Sequence, residues 1–343
     1  MARDASIALS VIAFGVGMAI CYFAAAVIQT ILVAILLALL LDPPVERLRR
    51  WKFPRTFAVL LMLLLFLGVV SVSSFYLYSS AQEFIEELPS YSQDIRQKIL
   101  QIRRRAERIQ QQTEQVIPPA QEEAEAVTDQ SLWSRYVFPG SERIFNFIIL
   151  VSFIPFMIFF LLTWKERLYA SCLSGFPEQE RPGIAQLLHT ISGMLRGFLI
   201  GNFFVGLILS AMGAILFFAL KLKYAVLLGL ISGFLNLIPY VGIVLAMIPP
   251  FLVTLEQPRN TQLLFILAGG ISTFHLVGLN VFYPKIVGHR VRLNPFAVMV
   301  TLLVWSWMWG LMGFILAIPI AAGAKALCDN TGQLRPIGRL LGE

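Results

Sequence analysis

Charge is what this chain has least of. Only 14% of its 343 residues are Asp, Glu, Lys or Arg, against 57% that are hydrophobic. Ordinary soluble domains carry roughly 25% charge. Intrinsic disorder is excluded, because it goes with low hydrophobicity and high net charge. Cysteine is scarce too. Cys21, Cys172 and Cys328 are odd in number and far apart, which excludes a small disulfide scaffold and supplies no metal-ligand spacing. Nucleotide-binding motifs are missing: there is no Gly-x-x-x-x-Gly-Lys-Ser/Thr run and no Gly-x-Gly-x-x-Gly after a strand. Transport powered by an ATPase within this chain is thereby excluded. His189, His275 and His289 form no His-x-x-x-His pair, and Ser210, Ser232, Ser272 and Ser306 have no Gly-x-Ser-x-Gly context. No enzyme, metal site or cofactor is expected. The net charge of +7 comes without a basic patch interleaved with stacking aromatics, so nucleic acid is not an expected partner. Excess Lys and Arg reads instead as membrane topology.

What is present is a series of long apolar runs. A membrane-spanning helix needs about 20 such residues. Ile7 to Leu41 carries no charge and, at about 35 residues, is too long for one span. It is read as a retained anchor of two helices with a tight turn near Ala24–Gln29, stopped at Asp42-Pro43-Pro44, where proline should end the helix. The basic stretch Arg47, Arg49, Arg50, Lys52 and Arg55 marks a cytoplasmic connection. Thr56 to Ser80 is the next span, running outward. Residues 81–143 are polar and on balance acidic, with apolar residues at helical spacing (Ile95, Ile99, Ile102, Ala106, Ile109). They are expected to be extracytoplasmic helices, lying on the membrane, between subunits, or packed on their own chain. Ile144 to Trp164 returns inward. Residues 168–196 form a second amphipathic segment, and Gly197 to Leu220 crosses again. Three regions result: 1–80, 81–143 and the membrane core 144–343.

Two apolar stretches are interrupted. Residues 224–255 break at Asn236-Leu237-Ile238-Pro239-Tyr240-Val241-Gly242, leaving arms of about 14 residues, near 21 Å, too short to cross. Residues 296–327 are interrupted by Gly310 and Gly313 and bent by Pro319. Between them, Gln262 to Phe282 is a full span, followed by a basic turn with Lys285, His289, Arg290 and Arg292. Charge counting places both ends of the first broken stretch outside and both ends of the second inside. Lys221 and Lys223 in the supposed outer turn are the exception to the charge rule. The expectation is an all-α polytopic protein with about six full spans, two interrupted re-entrant helical hairpins, and amphipathic surface helices. Paired interrupted helices point to the substrate site in secondary transporters; a pair of kinked packing helices is the plainer reading.

No Asp, Glu, Lys or Arg falls at mid-membrane, and His275 is the only titratable side chain of a proton-relay type at depth. A path for a neutral polar solute is expected from Asn202, Asn236, Asn280, His275 and the helix breaks at Pro239, Gly242, Gly310 and Gly313. Pro284 and Gly288 would shape the cytoplasmic turn. Arg290 and Arg292 would fix orientation or meet anionic lipid heads.

Three stretches resemble the autoinducer-2 exporter family of bacterial inner-membrane proteins. One is Leu39-Leu40-Leu41-Asp42-Pro43-Pro44-Val45-Glu46-Arg47-Leu48 with Pro54-Arg55-Thr56-Phe57-Ala58-Val59. The others are the Asn236–Gly242 break, with Pro249 beyond it, and Tyr283-Pro284-Lys285-Ile286-Val287-Gly288 with Val291, Leu293 and Pro295. The family usually shows Asn-Pro where this chain has Asp42-Pro43. The resemblance implies an inner-membrane transporter that exports small molecules such as the signal autoinducer-2, or that exchanges sodium or lithium for protons. It also implies a homo-oligomer, pentamers among the known forms. Expected partners are membrane lipids and a small polar solute or monovalent ion, with both termini cytoplasmic. A proton-linked antiporter would use His275, or acids at span ends such as Asp42 and Glu256. A non-transporting scaffold assembled through 81–143 and a passive channel are the competing readings.

Overall fold

The computed structural model describes residues 2–80, 82–83, 141–235, 242–255, 261–287, 293–332 and 334–342. Nearly all of the polar region expected over 81–143 lies outside them. Every element among the described residues is helical: α1 (Ala2–Phe23), α2 (Ala25–Arg50), α3 (Arg55–Ser80), α4 (Ser141–Thr163), α5 (Lys165–Ser174), α6 (Arg181–Ala219), α7 (Ala225–Leu235), α8 (Gly242–Leu255), α9 (Thr261–Val277), α10 (Pro295–Asn330) and α11 (Arg335–Leu341). Beyond Val277, α9 continues as a π-helix, Gly278–Val287. Among the described residues, five helices are long and apolar enough to cross a membrane: α2, α3, α6, α9 with its π extension, and α10. The chain is an all-α multi-pass membrane protein.

Three local expectations change. The first apolar run does divide at Ala24, but without a tight turn. Ala24 N–H donates to Ile20 O and Ile28 N–H to Ala24 O, so the hydrogen-bond ladder passes through and the helix bends. No Gly, Pro or Asn is there to reverse it. Second, α2 does not stop at Pro43-Pro44 but runs on to Arg50. Packing overrides the missing donors: Val45, one turn past Asp42, is buried against α3 and α4. Arg47, Arg49 and Arg50 also complement the negative end of the helix dipole. Third, much of the amphipathic segment 168–196 is fused to the fifth span in the 39-residue α6. At about 58 Å that helix is far longer than the hydrocarbon is thick. Its buried residues begin only at Gly197.

Apolar packing falls into separate groups. Ala34, Ala38 and Val45 of α2 meet Ala58, Val59 and Leu63 of α3 and Ile158 and Leu162 of α4. Phe217 of α6, Leu228 of α7, Ala246 of α8 and Leu267 of α9 share a second core. Val205 and Leu209 of α6 pack with Val287 at the end of the π-helix. A fourth group sets Met308, Trp309 and Leu316 of α10 against the α1–α2 bend.

Helices α6 and α7 approach closely, where small residues let backbones touch, the usual device of membrane helix pairs. A Cβ on Gly229 would come within 2.5 Å of the Ala214 backbone nitrogen, and one on Gly233 would collide with Ser210. Gly229→Ala gains about 1 kcal/mol of helix propensity. Overpacking against a backbone that cannot yield costs about 1–3 kcal/mol, so overlap wins. Gly269 has nothing within 4 Å of its missing Cβ. Thermal unfolding in detergent is therefore expected to show a lower midpoint for Gly229→Ala and an equal or higher one for Gly269→Ala.

Candidate functional site

The second interrupted stretch folds back on itself at Gly310. A straight helix of 36 residues would be about 54 Å long, yet Asn294 N–H at its start donates to Leu341 O, just past its end, at 2.9 Å. The intervening α11 has only seven residues, about 10 Å. Gly310 makes the reversal with φ 59° and ψ −137°, a region that L side chains rarely adopt. Gly313 then lies directly against the Trp305 carbonyl, with no room for a Cβ. The expected interruption at Gly310 and Gly313 is thus a true helical hairpin. Asn294 caps its first arm, accepting from Phe296 N–H at 3.0 Å.

The tip of this hairpin is pinned. Trp309 Nε1–H donates to the Cys21 carbonyl at 2.9 Å, and Trp307 stacks on Tyr22 with ring centroids 6.2 Å apart. Irregular backbone thus meets the bend in the first apolar run. One is a helix reversal and the other a bend, and at each, protein covers the peptide groups.

The first interrupted stretch leaves two short arms, α7 of 11 residues and α8 of 14. Asn236 and Pro239, in the break itself, lie outside the described residues. Gly242 is buried and opens α8. Leu222 and Ala225 beside the start of α7, Val253 near the end of α8 and Leu263 near the start of α9 share one core.

The polar side chains expected to line one path are spread out. Asn202 is buried in α6, with Oδ1 lacking a partner among the described residues. Gly201 beside it touches Val287 of the π-helix. His275 is buried in α9; Nδ1 lies 2.9 Å from Ile271 O, and Nε2 has no partner among the described residues. Gly201 faces Val287 and Leu216 faces Gly270, so α6 and α9 are antiparallel and His275 lies level with Met212. That is about 15 Å along the axis from Asn202. Asn280 is exposed and donates to Leu276 O. Pro284 sits inside the π-helix, whose wider hydrogen-bond step is common at functional sites. Gly288, Arg290 and Arg292 lie outside the described residues. No group of three potential metal ligands occurs among the described residues.

A charged cluster on the basic face escaped the residue reading. Asp42, 2% exposed, receives Lys165 Nζ at 2.8 and 2.9 Å and also pairs with Arg196. Nearby, Arg55 donates to Leu162 O at 2.9 Å and pairs with Glu166 at 2.6 Å, while Arg49 reaches Glu46 at 3.1 Å. Arg55 thereby satisfies a free carbonyl at the end of α4. The only sequence signal was Asp42 itself, an acid at the edge of an apolar run where the resembled family has Asn.

Gly310→Ala is expected to lower the unfolding midpoint, by the equivalent of about 1–3 kcal/mol for the forced dihedrals. Gly323→Ala, on the second arm with nothing within 4 Å, should not. A scan of both variants in the same detergent checks this.

The model of the AI-2E family transporters matches residues 9–333 of the chain. Curated relatives span nearly its whole length. The putative transport protein YrrI of Bacillus subtilis is 25% identical over 90% of this chain and 89% of its own. A putative transport protein of Haemophilus influenzae is 25% identical over 93% and 91%. The AI-2 transport protein TqsA of Escherichia coli is 25% identical over 94% and 91%.

Proposed function

The chain belongs to the AI-2E family of transporters, and on that premise we propose that it is a secondary transporter exporting a small, polar, uncharged solute across a bacterial inner membrane. The observation that carries the reading is the hairpin at Gly310, with its tip pinned to the α1–α2 bend by Trp309. Helix reversals at membrane depth need protein or a water-filled cavity around them, and paired broken helices build substrate sites in secondary transporters. Two hairpins entering from opposite faces, 224–255 and 295–330, would meet near the midplane. Supporting this, α7 and α8 share one apolar core, as the arms of a hairpin do. An uncharged cargo fits a core whose buried polar groups among the described residues of the spans are Asn202, His275 and hydroxyls, with Asp42 at the edge. TqsA is named for AI-2, and a polyol of that kind is the cargo class proposed here. The face bearing Arg47 to Arg55 and the C-terminus is assigned to the cytoplasm by its charge. The outward face of α3, with Leu64, Leu65 and Val72 exposed, suits lipid or a second copy in a homo-oligomer, by family resemblance a pentamer.

A monovalent cation/proton antiporter is the second reading. It is favoured by His275, buried and with no partner for Nε2 among the described residues, the kind of intramembrane titratable group that proton relays use.

Flux in proteoliposomes separates the two. The expected result is saturable uptake of small neutral polyols that collapses when an imposed pH gradient is removed. Sodium or lithium movement alone, lost in His275→Ala, would favour the antiporter. Saturable movement of neither contradicts both.

A further inference from the structure

Asp42 sits where two packing groups meet. One group is α2, α3 and α4; the other is α6 to α9 with the π-helix. Among the described residues no buried apolar cluster joins the two. They are joined by direct packing of α2 on α6, by α10, which packs on both, and by the charges around Asp42. Lys165 reaches Asp42 from the start of α5 and Arg196 from α6. The carboxylate is wholly covered, while its cations remain partly open, at 44% and 34% side-chain exposure.

The position of Arg196 gives this pair leverage. Residues 181–196 of α6 contain no buried residue, so among the described residues no buried apolar core holds that part of the helix. Besides the Asp42 pair, Tyr169 of α5 donates to Ala185 O at 3.1 Å. Directly after Arg196 begins the buried stripe of Gly197, Gly201, Asn202 and Gly206, and Gly201 lies against Val287 of the π-helix. Movement of Arg196 is therefore movement of the wall that holds Asn202. On the other side, Asp42 immediately precedes Pro43 and Pro44. Their missing donors leave the carbonyls of Leu39 and Leu40 without helical partners, a weak point at which α2 can flex.

We infer that Asp42 is a positioning residue of the transport cycle: its ion pair with Arg196 and Lys165 is a latch that holds α6 against the α2–α4 group in one state and releases it in another. A latch of charge suits this task. A buried pair adds little net stability but fixes geometry, and loss of one partner is costly. The cations, already partly open, can be hydrated when the pair separates, which an apolar contact of the same strength could not be. The inference rests on the transporter reading.

The test follows distance and flux in the full chain. Spin labels are placed at Trp51→Cys, in the α2–α3 turn, and at Thr190→Cys on the exposed side of α6, with Cys21, Cys172 and Cys328 changed to Ala. Labelled subunits in lipid nanodiscs are diluted with unlabelled ones so that distances are within one chain. The parent is expected to give one distance population. Asp42→Asn and Arg196→Gln should each add a longer one, lowering the closed-to-open ratio about tenfold or more, and their combination should add nothing further. Asp42→Glu should keep the single population. Polyol flux in Asp42→Asn should change in maximal rate with the half-saturating concentration unaltered, and Asp42→Glu should restore it. Lys165→Gln leaves Arg196 in place and covers the case where a neutral variant fails to fold; a smaller second population is expected. Unchanged single populations in every neutral variant that folds overturn the latch, even where flux falls. Distances that split in Asp42→Asn and Arg196→Gln, with a parent that keeps one population but moves no solute, would instead refute the transporter reading and keep the latch.

Discussion

A peptide group left without a hydrogen-bond partner in hydrocarbon costs several kcal/mol. Every feature of this chain that departs from a straight spanning helix must answer to that constraint. At Gly310 the answer is a one-residue reversal, which only glycine takes without strain. It is packed so tightly that Gly313 touches the Trp305 carbonyl. At the α1–α2 bend the ladder stays intact through Ala24, and the indole of Trp309 covers the Cys21 carbonyl. The two irregular places are solved together, each lying against the other. In the π-helix, Pro284 is accommodated inside a continuous element.

The same constraint explains why glycine and charge divide the remaining work. In lipid there is no hydrophobic drive between helices, so α6 and α7 associate by close backbone contact at Gly229 and Gly233. That contact is rigid: a single methyl group is too many. Where the chain reaches the basic face, packing gives way to ion pairs, with Arg55 closing the end of α4 and Asp42 gathering cations from α5 and α6. The molecule is thus fixed by glycine at depth and held by charge at its edge.

The spans were legible because hydropathy and the positions of Arg and Lys are properties of contiguous sequence. Gly310 was legible as a break for the same reason. The continuation of α2 beyond Pro43-Pro44 was not, because it depends on Val45 being buried by α3 and α4. The fusion of residues 181–196 with the fifth span also escaped, since an amphipathic pattern meeting an apolar run looks like a boundary. The Asp42 cluster is the clearest case: its partners lie 123 and 154 residues away, and no local pattern pairs groups across that distance. Asn202, His275 and Asn280 were picked by residue type alone. The antiparallel register of α6 and α9 reveals that the first two sit at different depths, and the exposure of the third shows that it faces outward.

The central claim is that residues 295–330 enter and leave the membrane on one face. Single cysteines at Leu293 and Gly332, each in a background without the native three, can be challenged in oriented vesicles with a maleimide that does not cross the bilayer. Labelling of both from the same side, the side that also labels Trp51→Cys, is the predicted result. Labelling from opposite sides would mean that the segment crosses, and the hairpin account would be wrong.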